Sequence, residues 1–309
     1  MAARAEEPST PARSSPARSS PARSTRAPDP RRVPLPIDAL SLAETARSID
    51  ALLAAPTSAE AAQVVTLNPE LVMRARRDAG LAQIIRSARV VTADGAGILW
   101  ALRLRGQRLP ARVTGIDLAQ ALAQRAAESG YSIFLLGAGP GVAQAAADAL
   151  TRRYPALRIA GCWGGSPSPR DDAEVTARIR ASGARLTLVA YGAPAQELWI
   201  ARNLPALPGV VAIGVGGALD MLAGRIPRAP RWMRATGLEW LFRLWRQPWR
   251  WRRMLALPQF ALLASAAAAH EWLTRRPDTG ILAMRDPTKA ARAQDTSETR
   301  ASNRASNRT

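Results

Sequence analysis

The residues with the plainest chemical capacity lie in one stretch, Gly224 to Arg253, which reads GRIPRAPRWMRATGLEWLFRLWRQPWRWRR. Arg225, Arg228, Arg231, Arg234, Arg243, Arg246, Arg250, Arg252 and Arg253 stand there against a single acid, Glu239, with Trp232, Trp240, Trp245, Trp249 and Trp251 among them. A guanidinium is a planar fork that binds phosphate oxygens in pairs. Tryptophan favours the boundary between water and lipid, where its ring is buried and its N–H stays wet. Together they suggest a surface that meets a phosphate-bearing lipid. A merely solvated basic face is the plainer alternative, but such faces rarely carry so many large rings. A nucleic-acid surface is the other, because arginines and aromatics also suit phosphates and bases. From Leu238 the spacing of Leu241, Leu244 and Trp245 predicts a helix that Pro248 interrupts. If the helix resumes, Arg243, Arg246, Arg250 and Arg253 share one side.

Bulk properties narrow the chemistry. The chain has 309 residues, 47% of them hydrophobic, enough for one or two domains with a proper core. The formal net charge of +19 predicts attraction to anions without choosing among nucleic acid, acidic lipid and phosphorylated substrate. Cys162 is the only cysteine and His270 the only histidine. No intrachain disulfide or His/Cys zinc cluster can form, and a Ser-His-Asp triad away from His270 is disfavoured. His270 follows an alanine run and reads as structural. No D-x-D pair is present, which argues against a divalent metal held on a nucleotide diphosphate. The basic N-terminus lacks an apolar run and does not read as a secretory signal. The most lipid-like segment, Met254 to Ala269, is shorter than the roughly 20 residues a spanning helix needs.

The elements that must position these residues are short apolar runs alternating with helical patterns. Val64 to Leu67, Arg89 to Thr92, Ile133 to Leu136, Leu186 to Ala190 and Val210 to Val215 read as buried strands. Pro69 to Ala79, Gly95 to Leu104, Asp117 to Glu128, Val142 to Arg153, Arg170 to Ser182 and Gln196 to Asn203 read as helices. The alternation predicts an α/β fold, a Rossmann-like parallel sheet with helices on both faces. A helical, membrane-associating appendage follows it. Residues 1–35, where PARS recurs at Pro11, Pro16 and Pro21, and residues 286–309, with two ASNR units, read as disordered tails. Between them lie a core, 36–223, and the appendage, 224–285.

Ligands of such folds bind beyond the carboxyl ends of the strands. The polar residues there are Thr66 and Asn68; Asp94; Arg112 ahead of Val113-Thr114-Gly115; Gln196 after Tyr191-Gly192; and Asp220 after Gly214. Gly137 opens Gly137-Ala138-Gly139-Pro140-Gly141, whose bare N–H groups at a helix start make a common phosphate cradle but no P-loop, since Lys is absent. Each polar residue also has a plainer role. Asp94, Asn68, Gln196 and Asp220 can cap the helices beside them, and Arg112 can form a surface ion pair.

The ordered set of motifs resembles a known family. T-x-N at Thr66 to Asn68, ADG at Ala93 to Gly95, RVTGIDL from Arg112 and FLLGAGPGVA from Phe134 come first. YPALRIAG from Tyr154, GAPAQE from Gly192, GVGGALDMLAG from Gly214, RAP at Arg228 and GLEWLFRL from Gly237 complete the series. From about Val64 to Arg253 the chain resembles the WecG/TagA/CpsF glycosyltransferases, which build bacterial surface polymers. The resemblance implies an inverting transfer, without metal or other cofactor, from a UDP-sugar to a sugar on a polyprenyl diphosphate. It also implies a peripheral place on the inner face of the cell membrane, against an anionic surface. Inversion needs a base near the acceptor hydroxyl and a stabilised leaving group. Asp94 matches the family's proposed base, and Thr66 and Asn68 match residues holding a sugar. Arg112 matches an arginine near the substrate, Gln196 a substrate-contacting glutamine and Asp220 a residue near the nucleotide. Arg243, Arg250 and Arg253 match appendage arginines that meet a diphosphate. Where the family commonly has a basic residue this chain has Ala195, which implies one missing phosphate contact.

Two rival readings remain: a basic nucleic-acid-binding α/β protein, and a catalytically inactive scaffold of the same fold. Binding to a nucleic-acid backbone needs no Asp94, Gln196 and Asp220 gathered at one sheet edge, so their placement discriminates. The resemblance favours no nucleic acid. The sequence leaves open a homo-oligomer and does not name the sugar.

Overall fold

The computed structural model describes residues 33–274 and 280–285. The tail 286–309, and all of the N-terminal tail but residues 33–35, therefore lie outside the described residues. In chain order come β1 (Leu35–Asp38), α1 (Leu42–Ala54), β2 (Ala62–Leu67), α2 (Pro69–Ala75), α3 (Ala79–Ser87), β3 (Val90–Ala93) and α4 (Ala96–Leu104). Then follow α5 (Gly115–Ser129), β4 (Ser132–Gly137), α6 (Val142–Arg153), β5 (Arg158–Trp163) and α7 (Asp172–Ser182). After these come β6 (Leu186–Ala190), α8 (Ala195–Asn203), β7 (Val211–Gly214) and α9 (Ala218–Leu222). The C-terminal part holds α10 (Arg231–Ala235), α11 (Glu239–Arg246), α12 (Trp251–Met254), α13 (Ala256–Thr274) and β8 (Leu282–Arg285).

Six strands form a parallel sheet in the order β3-β2-β7-β6-β4-β5. Its strands are buried on both faces, which is why they read as continuous apolar runs rather than alternating ones. Val64 and Val65 point to opposite sides: the first joins the layer of α1, α5, α6 and α9, the second that of α2, α3, α4 and α13. On the second face α7 and α8 cover the β4–β6–β7 end, with Trp199 fully buried. The expected α/β architecture is the one observed.

Several expectations need correcting. The helix expected over Pro69 to Ala79 stops at Ala75, and Asp78 caps a separate helix, α3, by accepting the Leu81 N–H at 3.0 Å. Neither α1 nor β5 was anticipated. Ser41 closes a capping box with Glu44 at the start of α1, a local signal that was present in the sequence. β5 forms the sheet edge and is only partly buried, so its apolar pattern is faint.

The appendage is not an independent helical unit. Its final strand, β8, pairs in parallel with β1, and Arg285 grips the buried Asp38 at 2.6 Å. Asp38 in turn accepts the Val91 N–H at 2.7 Å, tying this small sheet to β3. α13 packs on α2 and α4 through Phe260 and Ala264. No helix among the described residues is long and apolar enough to cross a membrane.

Candidate active site

A cleft of about 320 Å³ opens at the carboxyl ends of four adjacent strands, β3, β2, β7 and β6, and α11 and α12 form its far wall. Its floor is built from strand ends. Thr66 donates its hydroxyl to the Gly214 carbonyl at 2.8 Å, locking β2 to β7. Asn68 caps α2, accepting the Leu71 N–H at 2.9 Å, and also lines the cleft.

Asp94 follows β3 directly, and its own N–H donates to the Leu67 carbonyl at 2.7 Å. Gly95, not Asp94, occupies the cap position of α4, so the carboxylate is not consumed as a helix cap. The Gly115 N–H donates to it instead. Burial pushes its pKa up to about 6, opposed by the Arg243 charge, reinforced by Glu239 and opposed again by Arg112. A carboxylate held near 6 is ionised at neutral pH yet a stronger base than a solvated one.

Gln196 is buried beneath the floor and braces two loops at once. Its Oε1 accepts the Gly192 N–H at 3.1 Å and the Gly216 N–H at 3.0 Å, while its Nε2 donates to Glu197 Oε1 at 2.8 Å. Glu197 is fully buried and pushed up to about 7, chiefly by that burial, with the Gln196 hydrogen bond opposing. The pair explains Gly214: a Cβ there would sit 2.6 Å from Gln196 Nε2 and 2.9 Å from Glu197 Oε1. The loops after β6 and β7 are thus tied to one carboxamide whose orientation a buried acid fixes.

The wall is cationic. Glu239, buried on α11, pairs with Arg243 at 3.0 Å and with Arg112 at 3.2 Å, so one appendage carboxylate holds an arginine from each side of the cleft. Arg253 reaches Glu70 at 2.8 Å and the Ala193 carbonyl at 3.3 Å. Arg250 donates to Gln247 at 2.8 Å. Burial lowers its pKa, as do the neighbouring Arg253 and Arg243 charges, the mark of crowded cations. The Nε atoms of Arg243 and Arg250 are buried without a hydrogen-bond partner among the described residues. Buried donors left unmet are costly, and an anion in the cleft would relieve them.

Of the residues singled out from sequence, Thr66, Asn68, Asp94, Gln196, Asp220, Arg243, Arg250 and Arg253 line this one cleft. Burial raises the pKa of Asp220, with Arg250 opposing. Two do not line it. Arg112 stands behind the wall on Glu239, where the ion-pair reading applies, and acts on Asp94 through its charge. Gly137 supports the floor from outside: at φ +95, a Cβ would lie 2.9 Å from the carbonyl carbon of Ala190, which does line the cleft. Its loop is therefore placed as packing against β6 rather than as a cradle in this cleft. Arg246 is also absent from the lining, because the break at Gln247 and Pro248 turns the chain before Arg250. Asp94, Gln196 and Asp220 do gather at one sheet edge, the arrangement that a nucleic-acid backbone would not require.

A family model described as the WecG/TagA/CpsF glycosyl transferases matches residues 31–276. The chain belongs to that family. Among its relatives is the N-acetylglucosaminyldiphosphoundecaprenol N-acetyl-beta-D-mannosaminyltransferase of Bacillus subtilis (strain 168), 35% identical over 65% of this chain and 78% of the relative. The enzyme of the same name from Bacillus spizizenii (strain ATCC 23059 / NRRL B-14472 / W23) is 33% identical over 69% of this chain and 81% of its own length. The protein is accordingly a glycosyltransferase acting in the synthesis of a cell-surface polymer.

Sequence reasoning missed four contributors to this glycosyltransferase site. Glu70 and Tyr191 line the cleft, and the Tyr191 hydroxyl is buried without a partner. Glu239 is the hub of the wall, and its being the sole acid among nine arginines was the available signal. Glu197 follows Gln196 directly, but nothing in its spacing announces a buried acid. Among the described residues no three His, Cys, Asp or Glu side chains gather as a metal site.

Proposed function

We propose that the protein moves a sugar, of N-acetylmannosamine type or a hexose, from a UDP-sugar to a hydroxyl of a sugar carried on a polyprenyl diphosphate, with inversion and without metal. The names of the Bacillus relatives support an N-acetylglucosamine diphosphate lipid as acceptor and an N-acetylmannosaminyl group as the sugar moved. The observation that carries the reading is Asp94, pushed up to about 6, in one cleft with Thr66, Gln196 and three crowded arginines.

The Asp94 carboxylate takes the proton of the acceptor hydroxyl as that oxygen attacks the anomeric carbon from the face opposite the leaving group. The new C–O bond forms while the bond from the anomeric carbon to the UDP oxygen breaks, and the electron pair leaves on the β-phosphate. The proton then passes from Asp94 to solvent. Thr66 and Asn68 orient sugar hydroxyls, and Asp220 faces the nucleotide. Gln196 acts as a positioning residue that sets the two loops. Arg243, Arg250 and Arg253 neutralise the departing diphosphate, the task a metal performs elsewhere.

The exposed rings of the wall, Trp245 at 70% and Trp232 at 62%, supply the surface that would rest on an anionic membrane at its inner face. The test is UDP release with UDP-N-acetylmannosamine and an N-acetylglucosamine diphosphate lipid, comparing wild type with Asp94→Asn. Full turnover in the variant would remove Asp94 as the base.

A further inference from the structure

A second groove, of about 480 Å³, runs between α2, α3 and the start of α13. It shares two wall residues with the active-site cleft, Glu70 and Arg253, so that single ion pair at 2.8 Å stands between the two spaces. We propose that this groove receives the diphosphate and the first isoprene units of the acceptor's polyprenyl carrier. The proposal rests on the acceptor assigned above.

Three observations carry it. The first is size. The cleft, about 320 Å³, lies at the low end of the roughly 300–1,000 Å³ that buries one small ligand, so donor and lipid-linked acceptor cannot both be housed there. The second is charge. Arg74, Arg77 and Arg252 join Arg253 around the groove, against Glu70 and Asp78. Asp78 is already engaged as the cap of α3. The third is the change of chemistry along the path. Beyond the arginines the lining turns apolar at Met73, Leu81 and Leu255, and Leu255 is half exposed at the rim. Sugar hydroxyl, diphosphate and isoprenoid follow one another in the acceptor in the same order as base, guanidinium and apolar wall.

The ion pair is suited to a hand-over. Glu70 Oε1 holds Arg253 at 2.8 Å and Arg74 at 3.3 Å together. A diphosphate arriving at the boundary would take Arg253 from Glu70, and Glu70 would keep Arg74 as its partner. No buried charge is stranded by the exchange.

The direct test is photolabelling of the full chain on vesicles. The probe is an N-acetylglucosamine diphosphate polyprenol with a diazirine in its first isoprene unit. Labels should fall within residues 69–81 and 251–259 and be displaced by the unlabelled lipid. Labels confined elsewhere, or not displaced, overturn the proposal. Labelling needs no turnover, so it judges the groove even if Asp94→Asn proves fully active and the catalytic reading fails. The second test uses Arg77→Glu and Leu255→Asp, both at exposed positions. The preference of kcat/KM for a long-chain over a short-alkyl acceptor should fall about tenfold, the worth of one charge-assisted contact. An equal loss on both acceptors, or no loss on either, overturns it as well.

Discussion

The floor and the wall of the cleft are built on opposite plans. On the floor each polar side chain is fixed by backbone from the sheet: Thr66 by the Gly214 carbonyl, Asn68 by the Leu71 amide, Gln196 by the Gly192 and Gly216 amides. On the wall the cations outnumber the acids. Arg112, Arg243, Arg250 and Arg253 are shared between Glu239 and Glu70, and two buried Nε atoms remain unmet. A satisfied network holds one geometry, whereas an under-satisfied one gains from a ligand of the opposite sign. The floor is therefore complete without substrate and the wall is completed by it.

The sharpest way to break this contrast is at the one floor residue whose charge is not fully compensated. Asp94→Asn should lower kcat by about 10²–10⁴, the range for loss of a general base, with the KM for either substrate little moved. The same change should stabilise the fold. The folded pKa of Asp94, about 6, lies above the ordinary carboxylate value of 3.8. Its contribution to stability is thus present below pH 3.8 and lost as pH rises through 6. At pH 7 to 8 the asparagine variant should gain on the order of 1–2 kcal/mol, readable as a higher urea midpoint. A variant both inactive and less stable would mean that Asp94 holds the floor together and does not act as base.

On the wall, Arg250→Ala should cost about 10² in kcat, comparable to removal of one donor to a developing anion. The stability change should be small, since its only side-chain partner is the neighbouring Gln247. Donor binding measured without acceptor should weaken as well. An equal loss of stability and activity would place Arg250 with the satisfied floor residues and blur the division.

How much was legible in the sequence follows the same division. The strand ends were readable because a parallel sheet forces continuous apolar runs, and the residue after each run is bound to lie at the rim. Asp94, Thr66 and Asp220 were located this way. Gly137 was placed at the rim by the same rule, yet its role is a close approach to Ala190 that only three-dimensional packing reveals. The wall was legible as composition alone: nine arginines and five tryptophans mark a surface, but not which arginines turn inward. Gln247 and Pro248 decide that by breaking the helix, sending Arg250 and Arg253 into the cleft and leaving Arg246 out. Pairings over long separations were not legible at all. Arg253 with Glu70, Arg112 with Glu239 and Arg285 with Asp38 depend on the fold and leave no local pattern.

A smaller effect probes how the floor is braced. Glu197→Leu removes the acceptor that fixes the Gln196 carboxamide, so the Gly192 and Gly216 loops lose their shared anchor. Catalysis should fall about tenfold through misplacement, mostly in kcat. Glu197→Gln keeps an acceptor oxygen at the same place and should restore most of the rate. Loss in both variants would point to the charge of Glu197 rather than its geometry.

The smallest effect is the most diagnostic of the join between floor and wall. Glu239 belongs to the wall, yet it raises the pKa of Asp94 on the floor, while its partners Arg243 and Arg112 lower it. Glu239→Gln removes the negative charge and keeps the side-chain shape. With the raising influence gone and both arginines left in place, Asp94 should titrate lower. The acid limb of the kcat/KM profile should then move from about pH 6 toward lower pH, by less than one unit. If the arginines instead swing away once Glu239 is neutral, their lowering influence goes with them and burial takes over, so the limb moves up. Downward movement means that the floor and its neighbours hold the wall in place. Upward movement means that Glu239 is the hinge pin, and that the charge of a single appendage residue sets both where the arginines stand and the pH at which the base can work.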